Sequence, residues 1–254
     1  MTMNKRIRRI VLAVAAMMIL TVSCTLFASQ LRCRFVAWST LRQVNGSLYV
    51  DPAMTAGDVD RIGILLSDAR ARDAGFYGSL RSAPQVIAGT DERVIEDFGG
   101  HGNRTAATHF VLGETYVVLG PDGMNVDVMA HELMHAELRA RLGWWVRDVR
   151  IPAWFDEGLA MQADDWEDYR EEAWQRETRG GALAPPLEDL TGESAFTSEG
   201  YWRAFATSKH EVRRWLDIVG TAGLADFLKL MERGDAFADA YGAVGREGGR
   251  GVRK

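Results

Sequence analysis

The pentapeptide His131-Glu132-Leu133-Met134-His135 constrains this chain more than any other stretch, because two histidines four apart converge on one point only if the backbone between them is helical. On a helix both imidazoles project from one face and can reach a single ion, while the intervening glutamate is placed to handle a water bound to that ion. The neighbouring residues support the helix. From Asn125 to Gly143 the chain offers good helix formers, Asp127 near the start, Arg139 and Arg141 in the last turn and Gly143 as a stop. A solvated helix with two surface histidines would show the same five residues, so the reading turns on a third donor.

A catalytic zinc takes three protein ligands and leaves its fourth position to water, so His131 and His135 need one further nitrogen or carboxylate. Glu157 is the best candidate. It lies on a second predicted helix that opens after Pro152 and runs from Ala153 to Gln175, joined to the first by a linker from Trp144 to Ile151. Packed antiparallel, the two helices would bring the three side chains together. His101 and His109 precede the motif and read as ordinary loop and strand residues, held as fallback ligands.

The pentapeptide followed by Trp154-Phe155-Asp156-Glu157-Gly158-Leu159-Ala160 resembles the gluzincin metallopeptidases, and the bacterial peptidase MA-like group in particular. The likeness extends over Pro84 to Gly242, with Tyr116-Val117-Val118-Leu119-Gly120-Pro121 ahead of the motif and Ser208 to Leu216 behind it. The resemblance implies zinc (Zn2+) bound by His131, His135 and Glu157, with Glu132 as general base in a peptide hydrolysis that forms no covalent intermediate. It also implies a small twisted sheet over the motif helix, whose edge strand pairs with an extended substrate. Tyr116, Val117 and Val118, in the stretch Tyr116 to Leu119, stand where that strand is expected. Members of the family draw a transition-state donor from the downstream half, where Tyr201 and His210 are the available types.

One departure stands out. Related gluzincins carry an acidic residue one turn after the glutamate ligand to orient a zinc-bound histidine, and this chain has Met161 there. Asp164, two turns from Glu157 on the predicted helix, is the substitute for that outer role, although a solvated carboxylate among Glu167, Asp168, Glu171 and Glu172 reads equally well. The aminopeptidase motif Gly-x-Met-Glu-Asn is absent, which favours an endopeptidase.

At the N-terminus, Lys5, Arg6, Arg8 and Arg9 precede an uncharged run from Ile10 to Ala28, just long enough to cross a bilayer as a helix. The basic flank predicts a cytoplasmic N-terminus and an extracytoplasmic globular part, anchored by a signal anchor rather than released by a signal peptide. Leu20-Thr21-Val22-Ser23-Cys24 resembles a bacterial lipobox and offers the alternative of a lipoprotein attached through Cys24. Either way a lipid bilayer is an expected partner, besides a peptide or protein substrate. Asp127, Glu137, Arg139 and Arg141 on the motif helix exclude an intramembrane site.

The globular part past Cys33 has no cysteine, so no disulfide staples it, and the remaining length suffices for a core. A net charge of -5 offers no footprint for nucleic acid. Thr55 with Asp58 predicts a capped helix, Pro84 to Ala88 a strand, and Thr108 to Leu119 a hairpin turning near Gly113. Helices are expected at Tyr201 to Val219 and Ala222 to Arg233, with Trp154, Trp166, Trp174, Trp202 and Trp215 as core anchors.

The expected architecture is therefore α+β. An anchor spans residues 1–30, a linker and first strand 31–54, a zinc peptidase subdomain 55–178, a helical subdomain 179–244 and a disordered tail 245–254. A non-catalytic binding or scaffold module of the same fold is the competing expectation. The intact Glu132 argues against it, since a scaffold has no chemical use for that carboxylate.

Overall fold

The computed structural model describes Arg8 and residues 30–99, 105–197 and 200–251. The uncharged run Ile10–Ala28, the lipobox-like stretch with Cys24, and His101 all lie outside the described residues. Among the described residues no helix is long and apolar enough to cross a membrane. The fold is mixed α+β. By its contacts the chain forms two compact units: one takes the described residues up to Met54 together with Gln85–Pro121, the other Thr55–Pro84 together with Asp122 onward. The division cuts across the expected boundaries at 55–178 and 179–244, because the C-terminal helices share a core with the motif helix while the strands group with the N-terminal residues.

The first unit is a five-stranded sheet in the order β1-β2-β3-β5-β4. Its strands are β1 (Arg42–Gln43), β2 (Leu48–Val50), β3 (Gln85–Ala88), β4 (Ala106–Val111) and β5 (Glu114–Leu119). β2, β3 and β5 run parallel, and they are hydrophobic without alternation because both of their faces are buried. β4 and β5 form the predicted hairpin, with Leu112 and Gly113 both at positive φ in the turn. On one face Cys33, Val36, Tyr49, Ile87, Phe98, Val111, Tyr116 and Val118 make a core, into which Cys33 Sγ donates to Phe98 O.

This topology corrects the expectation of an edge strand at Tyr116 to Leu119. β5 pairs with β3 through Gln85↔Tyr116 and with β4 through His109↔Tyr116, so the backbone of Tyr116, Val117 and Val118 is committed on both sides. The edges are β1 and β4. The apolar run of β5 reflects burial between two neighbours.

The second unit is helical. Its first helix, α1 (Ala56–Tyr77), opens with the predicted capping box: Asp58 N–H donates to Thr55 Oγ1 and Thr55 N–H donates to Asp58 Oδ2. The motif helix α2 (Val126–Trp145) is capped by Asn125, whose Oδ1 accepts from Val128 N–H. Gly143, at φ 72, breaks the helical path where the stop was expected. The stretch read as a linker is wound, with one wide turn over Val146–Arg150.

α3 (Ala153–Ala160) is much shorter than the helix expected to reach Gln175. The chain turns instead at Ala163 to Trp166, where Trp166 N–H donates to Asp164 Oδ1 and Arg72 reaches the carbonyl of Ala163. It resumes as α4 (Glu171–Thr178). α5 (Tyr201–Arg233) is the predicted helix pair fused across Gly220, the one residue inside it with non-helical φ/ψ.

α6 (Phe237–Gly251) overturns the disordered tail for residues 245–251, which continue the helix. Small residues suit it there: a Cβ at Gly248 would collide with the backbone of Ile218, and Gly245 lies beside Trp215.

Phe155, fully buried, sits among Trp154, Trp215, Phe227, Phe237 and Tyr241 at ring-centroid distances of 4.9 to 6.0 Å. This cluster ties α3, α5 and α6 together. Trp154, Trp174 and Trp215 are core anchors as expected, whereas Trp166 is 39% exposed.

Candidate metal centre

α2 and α3 carry the site. His131 and His135 lie one turn apart on α2, with ring centroids 4.9 Å apart and planes nearly perpendicular. α3 starts after Pro152, whose ψ of 146° turns the backbone into the helix, and brings Glu157 opposite both rings. The next residue explains how closely α3 can approach α5. A Cβ on Gly158 would stand 2.7 Å from the carbonyl carbon of Ser208, so only glycine permits this crossing. The Glu-Gly pair therefore joins a donor to the packing that positions it.

The donor atoms form a tight triangle. His131 Nε2 and His135 Nε2 are 3.2 Å apart, and Glu157 Oε2 lies 3.4 Å from the first and 3.5 Å from the second. Tetrahedral coordination with bonds of about 2.0 to 2.1 Å separates neighbouring donors by about 3.3 to 3.4 Å. The three side chains thus fit one small cation without rearrangement, and their atoms form the one such His/Cys/Asp/Glu cluster among the described residues. His131 and Glu157 are partly exposed while His135 is buried, so the triangle is reached from the His131 and Glu157 side. Glu132, half-buried, follows His131 directly on α2.

Asp156, which sequence reasoning missed, supplies the outer support. Its Oδ1 lies 2.9 Å from Nδ1 of His135, leaving Nε2 of that ring for the cation. Asp156 Oδ2 in turn accepts from Arg147, and Arg147 also pairs with Asp148, which accepts from Arg139. An ion-pair chain thereby runs from the surface of α2 to a buried imidazole. Met161, where an acidic residue was sought, is buried at 2% exposure. The available signal was Asp156 itself, a lone charge inside Trp154-Phe155-Asp156, where a buried carboxylate requires a partner.

These charges set one another. Burial disfavours a charged His135, but Asp156 and Glu157 outweigh it and hold the ring's pKa well above the ordinary histidine value. Burial likewise pushes both carboxyls up. His135 and Arg147 nevertheless hold Asp156 below the usual carboxylate range, and His135 with His131 does so for Glu157.

Asp164 is elsewhere. Its carboxylate accepts from Trp166 N–H and lies 3.9 Å from Lys209 Nζ, and its carbonyl accepts from the same amine. The early end of α3 removes it from the face of Glu157, which corrects its expected outer role. His210 is also engaged: its ring stacks on Trp174 at 3.5 Å and its Nδ1 lies 2.7 Å from Glu171 Oε2. One ring face and Nδ1 of His210 are thereby engaged.

Tyr201 fares differently. It is exposed at the start of α5 and meets Phe205 edge-on, and Phe205 lies 6.5 Å from His131. Tyr169, missed in the sequence, flanks the same Phe205 at 6.1 Å. Burial, Tyr201 and Asp164 push its hydroxyl up to about 12, so it stays a hydrogen-bond donor at neutral pH. His109 lies on β4 in the sheet unit, and the cluster belongs to the helical unit.

No protein-family model matches the chain, and no curated protein matches it.

Proposed function

We propose that the chain is a zinc metallopeptidase of gluzincin type, tethered to the bacterial cell membrane through Ile10–Ala28 with its helical unit outside the cytoplasm, and hydrolysing peptide bonds internally. The observation that carries this reading is the triangle of His131, His135 and Glu157 with Glu132 built into the same helix.

Three protein ligands leave a coordination position open, which is what separates a catalytic zinc from a structural one. When bound, zinc supplies a water whose pKa falls to about 7 and a Lewis acid for the scissile carbonyl. The chain's own residues divide the remaining work. Asp156 holds His135 in the tautomer that presents Nε2, and Arg147 holds Asp156. Glu132 takes the water's proton and returns it to the leaving amine. To Tyr201, beside Phe205 at the start of α5, we assign the hydrogen bond to the oxyanion of the tetrahedral state.

The test is direct. The purified full chain should hold zinc near one per chain, cleave a generic peptide library, lose that activity to a chelator and regain it with zinc. Glu132→Gln should keep the metal and lose cleavage by about 100-fold or more. Stoichiometric zinc without cleavage by the wild type would make the domain a scaffold instead.

A further inference from the structure

Residues 30–34 are helical and lead through Phe35 into the short turn Val36–Trp38. The segment has two apolar sides. Cys33 and Val36, at 0% and 3% exposure, are sunk in the core of the sheet unit. Leu31, Phe35 and Trp38 point outward at 37%, 57% and 79% exposure, with Phe35 and Trp38 rings 5.7 Å apart. The outward three and the buried pair therefore take different sides of the segment. Arg32 and Arg34 flank this face and are tied back to Asp97 and Glu114.

Adjacent exposed apolar side chains rooted in a core mark a contact surface. We propose that the Leu31, Phe35 and Trp38 face lies in the headgroup boundary of the bilayer, a reading that rests on Ile10–Ala28 being the membrane anchor. Ala28 ends the uncharged run only a few residues before Leu31. Tryptophan is favoured at that depth, where the ring body is in hydrocarbon and its N–H stays at the headgroups.

Geometry adds a restriction. Continued along the bilayer normal at 1.5 Å per residue, Trp38 would stand about 15 Å beyond Ala28, farther than the headgroup layer of roughly 5 to 7 Å on each side. The face can be immersed along its length only if the segment runs along the membrane surface with its apolar side turned to the lipid. The sheet unit, held to this segment through Cys33 and Val36, would then be fixed in orientation to the membrane as well as tethered to it.

The experiment uses the full chain reconstituted in phosphatidylcholine and phosphatidylglycerol vesicles, with lipids brominated near the headgroup end of the acyl chain. None of the eight tryptophans precedes Trp38, so quenching by bromine reports only on the chain beyond the anchor. The proposal expects the wild type to float with the vesicles and to be quenched, and Trp38→Phe, which keeps the apolar ring, to lose at least half of that quenching. A Leu31→Ser, Phe35→Ser double variant should still float but show weaker quenching. Flotation with unchanged quenching in Trp38→Phe overturns the proposal and leaves the anchor standing. Failure to float overturns the anchor and the proposal together. A doubled mass in detergent that reverts in the double variant would assign the face to a second copy and also overturn it.

Discussion

Asp156 and Glu157 are consecutive on one helix yet address His135 through different ring nitrogens: Asp156 Oδ1 is 2.9 Å from Nδ1, and Glu157 Oε2 is 3.5 Å from Nε2. Successive helical side chains diverge by about 100°, so the pair can grip the imidazole from two directions. Asp156→Asn should weaken zinc binding by about 10- to 100-fold. Arg147→Met should weaken it less, and Arg147→Lys should restore part of the loss. Competition with a chromophoric chelator measures all three, and wild-type affinity in Asp156→Asn would refute the support role.

Gly158→Ala tests the contact with α5. The added methyl cannot fit against the Ser208 carbonyl, so α3 must move. The expected cost is about 1 to 3 kcal/mol by thermal or denaturant unfolding, accompanied by reduced zinc affinity because Glu157 moves with the backbone. Loss of stability with unchanged affinity would mean that the donor is positioned independently of this crossing.

Two tyrosines flank Phe205, and their variants should differ. Tyr201→Phe is expected to lower kcat by about 100-fold with little change in KM, as for the loss of a transition-state donor. Tyr169 also meets Trp166, at 6.4 Å and nearly parallel, and Tyr169→Phe should leave kcat within a few-fold. Reversed results would exchange the roles.

Asp73 on α1 should give the protein a pH dependence of its own, away from the candidate metal centre. It is fully buried, and neither carboxylate oxygen has a hydrogen-bond partner among the described residues. Burial, helped by the nearby Glu137, raises its pKa from 3.8 to about 8, against the pull of Arg70 and Arg72. The folded state therefore keeps a proton that the unfolded chain releases near pH 4. Its contribution is fully present below that pH and is lost as pH rises toward 8, with a slope of up to about 1.4 kcal/mol per pH unit. Asp73→Asn should flatten the fall of melting temperature between pH 5 and 8, and parallel curves for the two proteins would contradict this.

Local patterns were legible wherever the signal was local. Thr55 with Asp58, the Asn125 to Gly143 helix, the Gly113 hairpin and the break at Gly220 all rest on residues within a few positions of one another. The His131, His135 and Glu157 cluster belongs here too, because the helical repeat and a short connection brought the donors close. What the reading missed depends on distant partners. α3 ends at Ala160 because Arg72, from α1, holds the turn at Ala163. Whether β5 is an edge is decided by β3 and β4, not by its own composition. The stretch from Gly245, polar and glycine-rich in isolation, continues a helix in which Gly245 and Gly248 lie against α5.

The turn between α2 and α3 has a thermodynamic consequence. An ion held by His135 and Glu157 closes a loop that contains Gly143 and Pro152, and loop closure ordinarily consumes chain entropy at the moment of binding. Here Arg139, Asp148, Arg147 and Asp156 already pin that loop through ion pairs. Most of the ordering is therefore completed during folding, and uptake of a metal at this site would be the filling of a preorganised cage rather than a coupled folding step.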